Sequence, residues 1–145
     1  KLVMLKPYLS KGGNLFLMGG LPSEALQELA GVKIKGSSKS TYTYINPVND
    51  IYHCFSEFDS ASPYPVECSS LEAEVVEANV TVLATLTYPY TLRTDKNFSA
   101  IHSDPPGKQT KFPAITLRTL GESKIIWAAA PMNMSKAHNC RDTLA

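Results

Sequence analysis

The chain has 145 residues, 43% of them apolar, and its 14 basic and 13 acidic residues leave a formal charge of +1. That length supports one domain with a real core and leaves little room for a second, and charge spread so evenly builds no basic stripe, so nucleic acid is not an expected partner. No apolar run approaches the ~20 residues that cross a bilayer, and the N-terminus lacks the charged, apolar and small-residue order of a signal peptide, so no membrane partner is expected either.

The opening residues read as the middle of a helix, so the sequence is expected to be a piece of a longer chain. Its compartment stays open, with the cytoplasm as the default. Leu2, Val3, Leu5, Tyr8 and Leu9 recur at helical spacing, and Gly12-Gly13 ends the element. Pro7 conflicts with a helix interior, where it costs ~3 kcal/mol or more, so the helix either starts near Leu5 or is kinked.

Asn14 to Met18 follows as a strand apolar on both faces, the mark of a parallel strand covered by helices. Its turn, Gly19-Gly20, is the most telling feature of the chain. Many α/β enzymes place a Ser or Cys at the sharp strand-to-helix turn, where a helix N-terminus stabilises developing negative charge. Gly19 and Gly20 offer no such group, which predicts a frame without chemistry of its own. Pro22 and Ser23 open the next helix, with Ser23 as N-cap, Glu24 in the first turn and Gly31 as the stop.

Val32 to Lys35 returns as a short strand. Thr41 to Ile45 and Ile51 to Phe55 are β-rich runs separated by Asn46-Pro47-Val48-Asn49-Asp50, which suggests a hairpin. Ser56 to Ser70 is dense in Ser, Asp and Pro and reads as an ordered loop without a regular element. Leu71 to Val76 fits a strand, although Ser69-Ser70-Leu71-Glu72 also fits a helix capping box; the strand is preferred because the β-branched run Val80 to Leu86 follows closely. Ala114 to Thr119 and Lys124 to Ala129 flank a turn at Gly121 and predict an antiparallel hairpin.

Chemistry-bearing residues are few. His53, His102 and His138 lie in separate segments with no second ligand at short spacing, so no metal or cofactor is expected. His53 and Cys54 would point to opposite faces of a strand and form no dyad. Cys54, Cys68 and Cys140 match neither a zinc site nor a dithiol pair; free thiols and a Cys54–Cys68 bridge both remain open. Sequons at Asn79, Asn97 and Asn133 bear on function only in a glycosylating host. Glu57 and Asp59, or Glu72, Glu74 and Glu77, have the chemistry of a glycosidase acid pair but not a known separation, and solvated acids of this kind are common. The stretch from Tyr88 to Gly107 reads as a long loop between strands. Tyr88, Tyr90, Phe98, His102 and Asp104 in it are candidates for stacking on a sugar or filling a neighbouring subunit's surface, or for pinning the loop to its own domain.

Taken in order, Tyr8 to Gly13, Asn14 to Leu17, Glu24 to Val32, Val82 to Leu86 and Pro113-Ala114-Ile115 leading to Ile125-Ile126-Trp127 resemble the trimerisation domain of microbial β-galactosidases and related glycoside hydrolases. That domain is similar to a class I glutamine-amidotransferase fold without its catalytic residues. The family's hairpin turn carries a Gly-Lys-Gly type sequence where this chain has Leu120-Gly121-Glu122-Ser123-Lys124, and the leading strands of its sheet would lie before Lys1.

The resemblance implies a single α/β domain over residues 1–145, a three-layer flavodoxin/amidotransferase-like sheet incomplete at its N-terminus, with an antiparallel C-terminal hairpin. It also implies catalytic acids in a separate barrel domain, no hydrolysis by this chain, and a role beside the other domains of the parent enzyme in building a homo-oligomer and helping wall the substrate pocket of an adjacent subunit. Two other readings are a carbohydrate-binding module stacking sugar on Tyr88, Tyr90, Phe98 and Trp127, and a degenerate amidotransferase or hydrolase using Cys54.

Overall fold

The computed structural model describes residues 2–40, 42–55, 61–91 and 105–131. Ten elements follow one another: α1 (Leu2–Ser10), β1 (Leu15–Met18), α2 (Glu24–Ala30), β2 (Val32–Ser37), β3 (Thr43–Pro47), β4 (Tyr64–Val66), β5 (Leu71–Val75), β6 (Val80–Pro89), β7 (Pro106–Leu120) and β8 (Ser123–Ala128). Six strands form a curled mixed sheet in the order β1-β8-β7-β6-β3-β4, and β2 pairs with β5 in a separate ribbon.

Both helices end as their glycines predict. Gly12 takes a left-handed φ of 79°, and its N–H and that of Gly13 donate to Leu9 O and Tyr8 O at 3.0 and 3.1 Å. Helix α1 runs through Pro7 and does not begin at Leu5; the missing donor removes one bond from a short helix without ending it. Ser23 Oγ caps α2 by accepting from Leu26 N at 3.3 Å. At the other end Gly31 has φ 71°, and a Cβ there would sit 2.4 Å from Val80 Cγ2, so both conformation and space demand glycine.

The expected hairpin at Gly121 forms: Leu120 pairs with Ser123, and Ile115 to Leu120 runs antiparallel to Ser123 to Ala128. Gly121 has φ 60°, the positive value that tight hairpin turns require. The strand expected near Leu71 also forms, and so does the one starting at Val80. Pro113 lies inside the inner strand β7, where a proline needs a break in the ladder. It finds one, because the β6–β7 register shifts on both sides of Thr85, its partner.

Three expectations are corrected. A three-layer sheet, mainly parallel in its first part, is not what the described residues build: they contain two helices, and β1–β8 is the single parallel pair among them. The reason lies in the connections. Parallel neighbours need a long crossover, usually helical, and from β3 onward the described connections carry no helix. Second, Ile51 to Phe55 does not pair with β3, which is flanked by β4 and β6 instead. Asp50 accepts from Cys54 N at 2.7 Å and Phe55 N at 3.3 Å, and this local capture holds a turn with His53 at φ 53°. Third, the segment 56–70 is not without regular structure, since Tyr64 to Val66 forms an outer strand, where Pro65 is tolerated.

The curled sheet buries two clusters. One comprises Ile45, Phe55, Tyr64, Val66, Leu83, Leu86, Leu117 and neighbouring alanines. The other gathers Leu21, Ala30, Val32, Ala73 and Ala129 around Trp127. On β8 the alternation decides which residues face which cluster: Trp127 meets α2 and the β2–β5 ribbon, while Ile126 and Ala128 turn to the other side. The ribbon thus shares with α2 the covering that further helices would give in a doubly wound fold.

Candidate functional site

The strand-to-helix turn is held rigidly and carries no reactive side chain. Gly19 N donates to Ala128 O at 2.9 Å, and the fully buried Trp127 donates its indole Nε1–H to Gly19 O at 3.1 Å. Gly19 has φ 66°, whereas a Cβ on Gly20 would meet nothing within 4 Å. There is therefore room at Gly20 for a Ser or Cys that the sequence does not supply. The next hydroxyl, Ser23 Oγ, is already used as the cap of α2, which has only seven residues.

The other candidate region is the end of β6. Tyr88 Oη donates to Glu72 Oε1 at 2.5 Å, tying the six-stranded sheet to the β2–β5 ribbon. Burial first, and then the hydrogen bond and charge of Glu72, push the Tyr88 hydroxyl well above its ordinary range. That makes it a poor nucleophile and a firm donor. Tyr90 is different: 79% of it is exposed, and its N–H donates to Pro105 O at 2.7 Å. A Cβ on Gly107 would lie 2.6 Å from Tyr90 Cα, so glycine is what lets the two backbones meet. Tyr90 and Gly107 thereby join the two ends of the intervening segment. Phe98, His102 and Asp104, which belong to that segment, lie outside the described residues, as do Glu57, Asp59, His138 and Cys140.

The remaining acids have structural partners. Glu74 pairs with Lys35 at 2.9 Å and Glu77 with Arg118 at 3.4 Å. Cys54 is an exposed free thiol, so the bridge to Cys68 is not made. Desolvation, followed by the charge and hydrogen bond of Asp50, pushes that thiol up, the opposite of what a nucleophile needs. His53 and Cys54 lie in and beside a turn, not on a strand as expected. Among the described residues no group of three or more His, Cys, Asp or Glu could hold a metal ion, and no helix is long and apolar enough to cross a membrane. Trp127, a stacking candidate, is fully buried and cannot meet a sugar.

Sequence reasoning missed Arg118. Its Nε donates to Asn79 Oδ1 at 3.0 Å, its Nη1 to Glu28 O and to Leu29 O, and its Nη2 pairs with Glu77. One guanidinium thus bonds two C-terminal carbonyls of α2 from a strand some 90 residues away. It also forms one wall of a groove of about 290 Å³ between α1 and α2, lined otherwise by Leu5, Leu9, Ala25, Leu29, Leu120, Lys6 and Glu28. No local pattern announces such a residue.

Comparison with known proteins finds no matching family model and no matching curated protein. Solved structures do match. An α-L-fucosidase isoenzyme 2 from Paenibacillus thiaminolyticus superposes with TM-score 0.69 at 21% identity, over 90% of this chain and 19% of its own. A cold-adapted β-galactosidase from Rahnella sp. R3 gives TM-score 0.55 at 13% identity, over 86% of this chain and 17% of its own. The cytoplasmic protein STM3548 of Salmonella typhimurium gives 0.62 at 13% identity, over 93% of this chain and 50% of its own. At these identities the likeness is one of fold. The chain spans about a fifth of the length of the two hydrolases.

Proposed function

We propose that this chain is a non-catalytic assembly and pocket-shaping domain of a larger glycoside hydrolase, of β-galactosidase type. The observation that carries the reading is the turn after β1, which keeps the geometry of a strand-to-helix elbow, has room for a side chain at Gly20, and presents none. Its fold likeness to parts of a fucosidase and a β-galactosidase supports the same reading. The resemblance to the trimerisation domain is consistent with it, and so is a homo-oligomeric parent.

Packing against the rest of such a parent would use the outer edge of β1. This terminal strand is apolar throughout, and the half-exposed Phe16 lies on it. Strand edges of this kind invite further pairing unless blunted by charge or proline, and β1 has neither. Tyr90, exposed at the root of the segment that follows β6, is the described residue best placed to reach a sugar held elsewhere in the parent.

The test is direct assay of the chain with a panel of nitrophenyl glycosides and titration with galactosides. The expected result is no turnover and little affinity. Turnover abolished by changing Glu57, Asp59 or Glu72 would overturn the reading, and saturable binding lost in Tyr90→Ala would replace it with a carbohydrate-binding module.

A further inference from the structure

Asn46 on β3 and Thr87 on β6 are 3% and 2% exposed, and neither Asn46 Oδ1 nor Thr87 Oγ1 meets a hydrogen-bond partner. Buried amide and hydroxyl oxygens are costly to leave unpaired, so two of them together call for a ligand. The β3–β6 register places them together: Asn46 opposes Thr85, and Tyr44 opposes Thr87. Opposed residues share a face of the sheet, which makes Asn46 and Thr87 diagonal neighbours with Thr85 beside both.

Diagonal positions lie ~7–8 Å apart, a span that one bridging molecule with two hydrogen bonds can cross. Thr85 Oγ1 accepts from Gln109 Nε2 at 2.8 Å, which leaves its own proton to donate. All three groups are neutral, so nothing charged is called for. Thr116 Oγ1 is also buried without a partner, but it opposes Val82 and Trp127 and offers one polar atom among apolar ones.

We propose that Asn46, Thr85 and Thr87 hold one resident internal water molecule between β3 and β6. The water donates to Asn46 Oδ1 and Thr87 Oγ1 and accepts from the Thr85 hydroxyl, the three bonds that a buried water ordinarily makes. It completes the pairing of the two strands on that face of the sheet. The inference is independent of the assembly reading, since a resident water neither requires nor excludes a parent enzyme.

The experiment is water-selective NMR on the full 145-residue chain, following cross-peaks from slowly exchanging water to the Asn46 side-chain amide and the Thr87 methyl. A long-lived water peak at both groups is expected. Thr87→Ser should keep the peak at the Asn46 amide, while Thr87→Val should abolish it there and lower the urea midpoint. A wild-type chain without the peak, a peak that survives in Thr87→Val, or a Thr87→Val midpoint equal to or above wild type overturns the proposal. Displacement of the peak by millimolar galactose would also overturn it, assigning the position to the hydroxyl of a bound sugar. Should Thr87→Val fail to fold, the wild-type spectrum and Thr87→Ser still decide.

Discussion

The two strand ends that matter most in this protein are built in opposite ways. The end of β1 is fixed from below by the Trp127 indole and carries no side chain above. The end of β6 carries two tyrosines, one spent on Glu72 and one almost wholly exposed. At the first end a supported strand-to-helix turn carries no reactive group; at the second, polar and aromatic groups are present, one of them spent on a structural bond. Position in a fold and possession of chemistry are therefore separate properties, and a function must be argued from both.

The largest effect should come from removing the support of the first end. Trp127→Ala takes a fully buried indole out of its cluster together with its bond to Gly19, and about 3–5 kcal/mol of stability should be lost in urea unfolding. A loss below 1 kcal/mol would show that the turn stands without this support.

Gly31→Ala comes next. The substitution forces a left-handed residue and a Cβ against Val80, for a cost of about 2 kcal/mol, read as a lower thermal midpoint. An unchanged midpoint would mean that the end of α2 adapts freely, which would loosen the helix covering Trp127.

The β6 end should respond more weakly and with a pH signature. Tyr88→Phe removes one hydrogen bond worth about 1 kcal/mol. The Tyr88 hydroxyl is raised from its ordinary 10.0, so the folded chain holds this proton to higher pH than the unfolded one. Its contribution is intact below about pH 10 and is lost as pH rises further. Urea midpoints measured from pH 8 to 11 should fall less steeply above 10 in Tyr88→Phe than in wild type. Parallel curves would detach Tyr88 from the tie to Glu72.

Gly20→Ser should do least. Open space at this position predicts a change within about 0.5 kcal/mol, and adding a hydroxyl to the turn should create no esterase or glycosidase activity. A measurable activity would show that the first end lacks only its nucleophile.

Local signals carried much of the fold. The glycines after both helices, the Ser23 cap and the Gly121 hairpin formed as expected, since each depends on a few neighbouring residues and on conformations that glycine alone adopts readily. The run Ile51 to Phe55 misled because β-branched and aromatic residues favour a strand only when a partner is free, and Asp50 had already claimed its amides. The parallel strand expected at Asn14 to Met18 formed, pairing with β8, but without helices on each side: Leu17 packs on the cluster that α2 and the two-stranded ribbon share, Met18 on the other cluster, and Phe16 is half exposed.

The candidate site divides along the same line. Gly19 and Gly20 were legible because an absent side chain can be read without coordinates. The partnership of Tyr88 with Glu72, the burial of Trp127, the reach of Arg118 to α2 and the adjacency of Asn46 and Thr87 were not. The amino-acid sequence by itself determined where helices stop, where the hairpin turns and that the β1 turn carries no side chain, all consequences of backbone freedom and side-chain identity at single positions. Only the tertiary structure decided which polar groups meet, because those meetings depend on strand order and register, and these follow from how the whole chain closes its two cores.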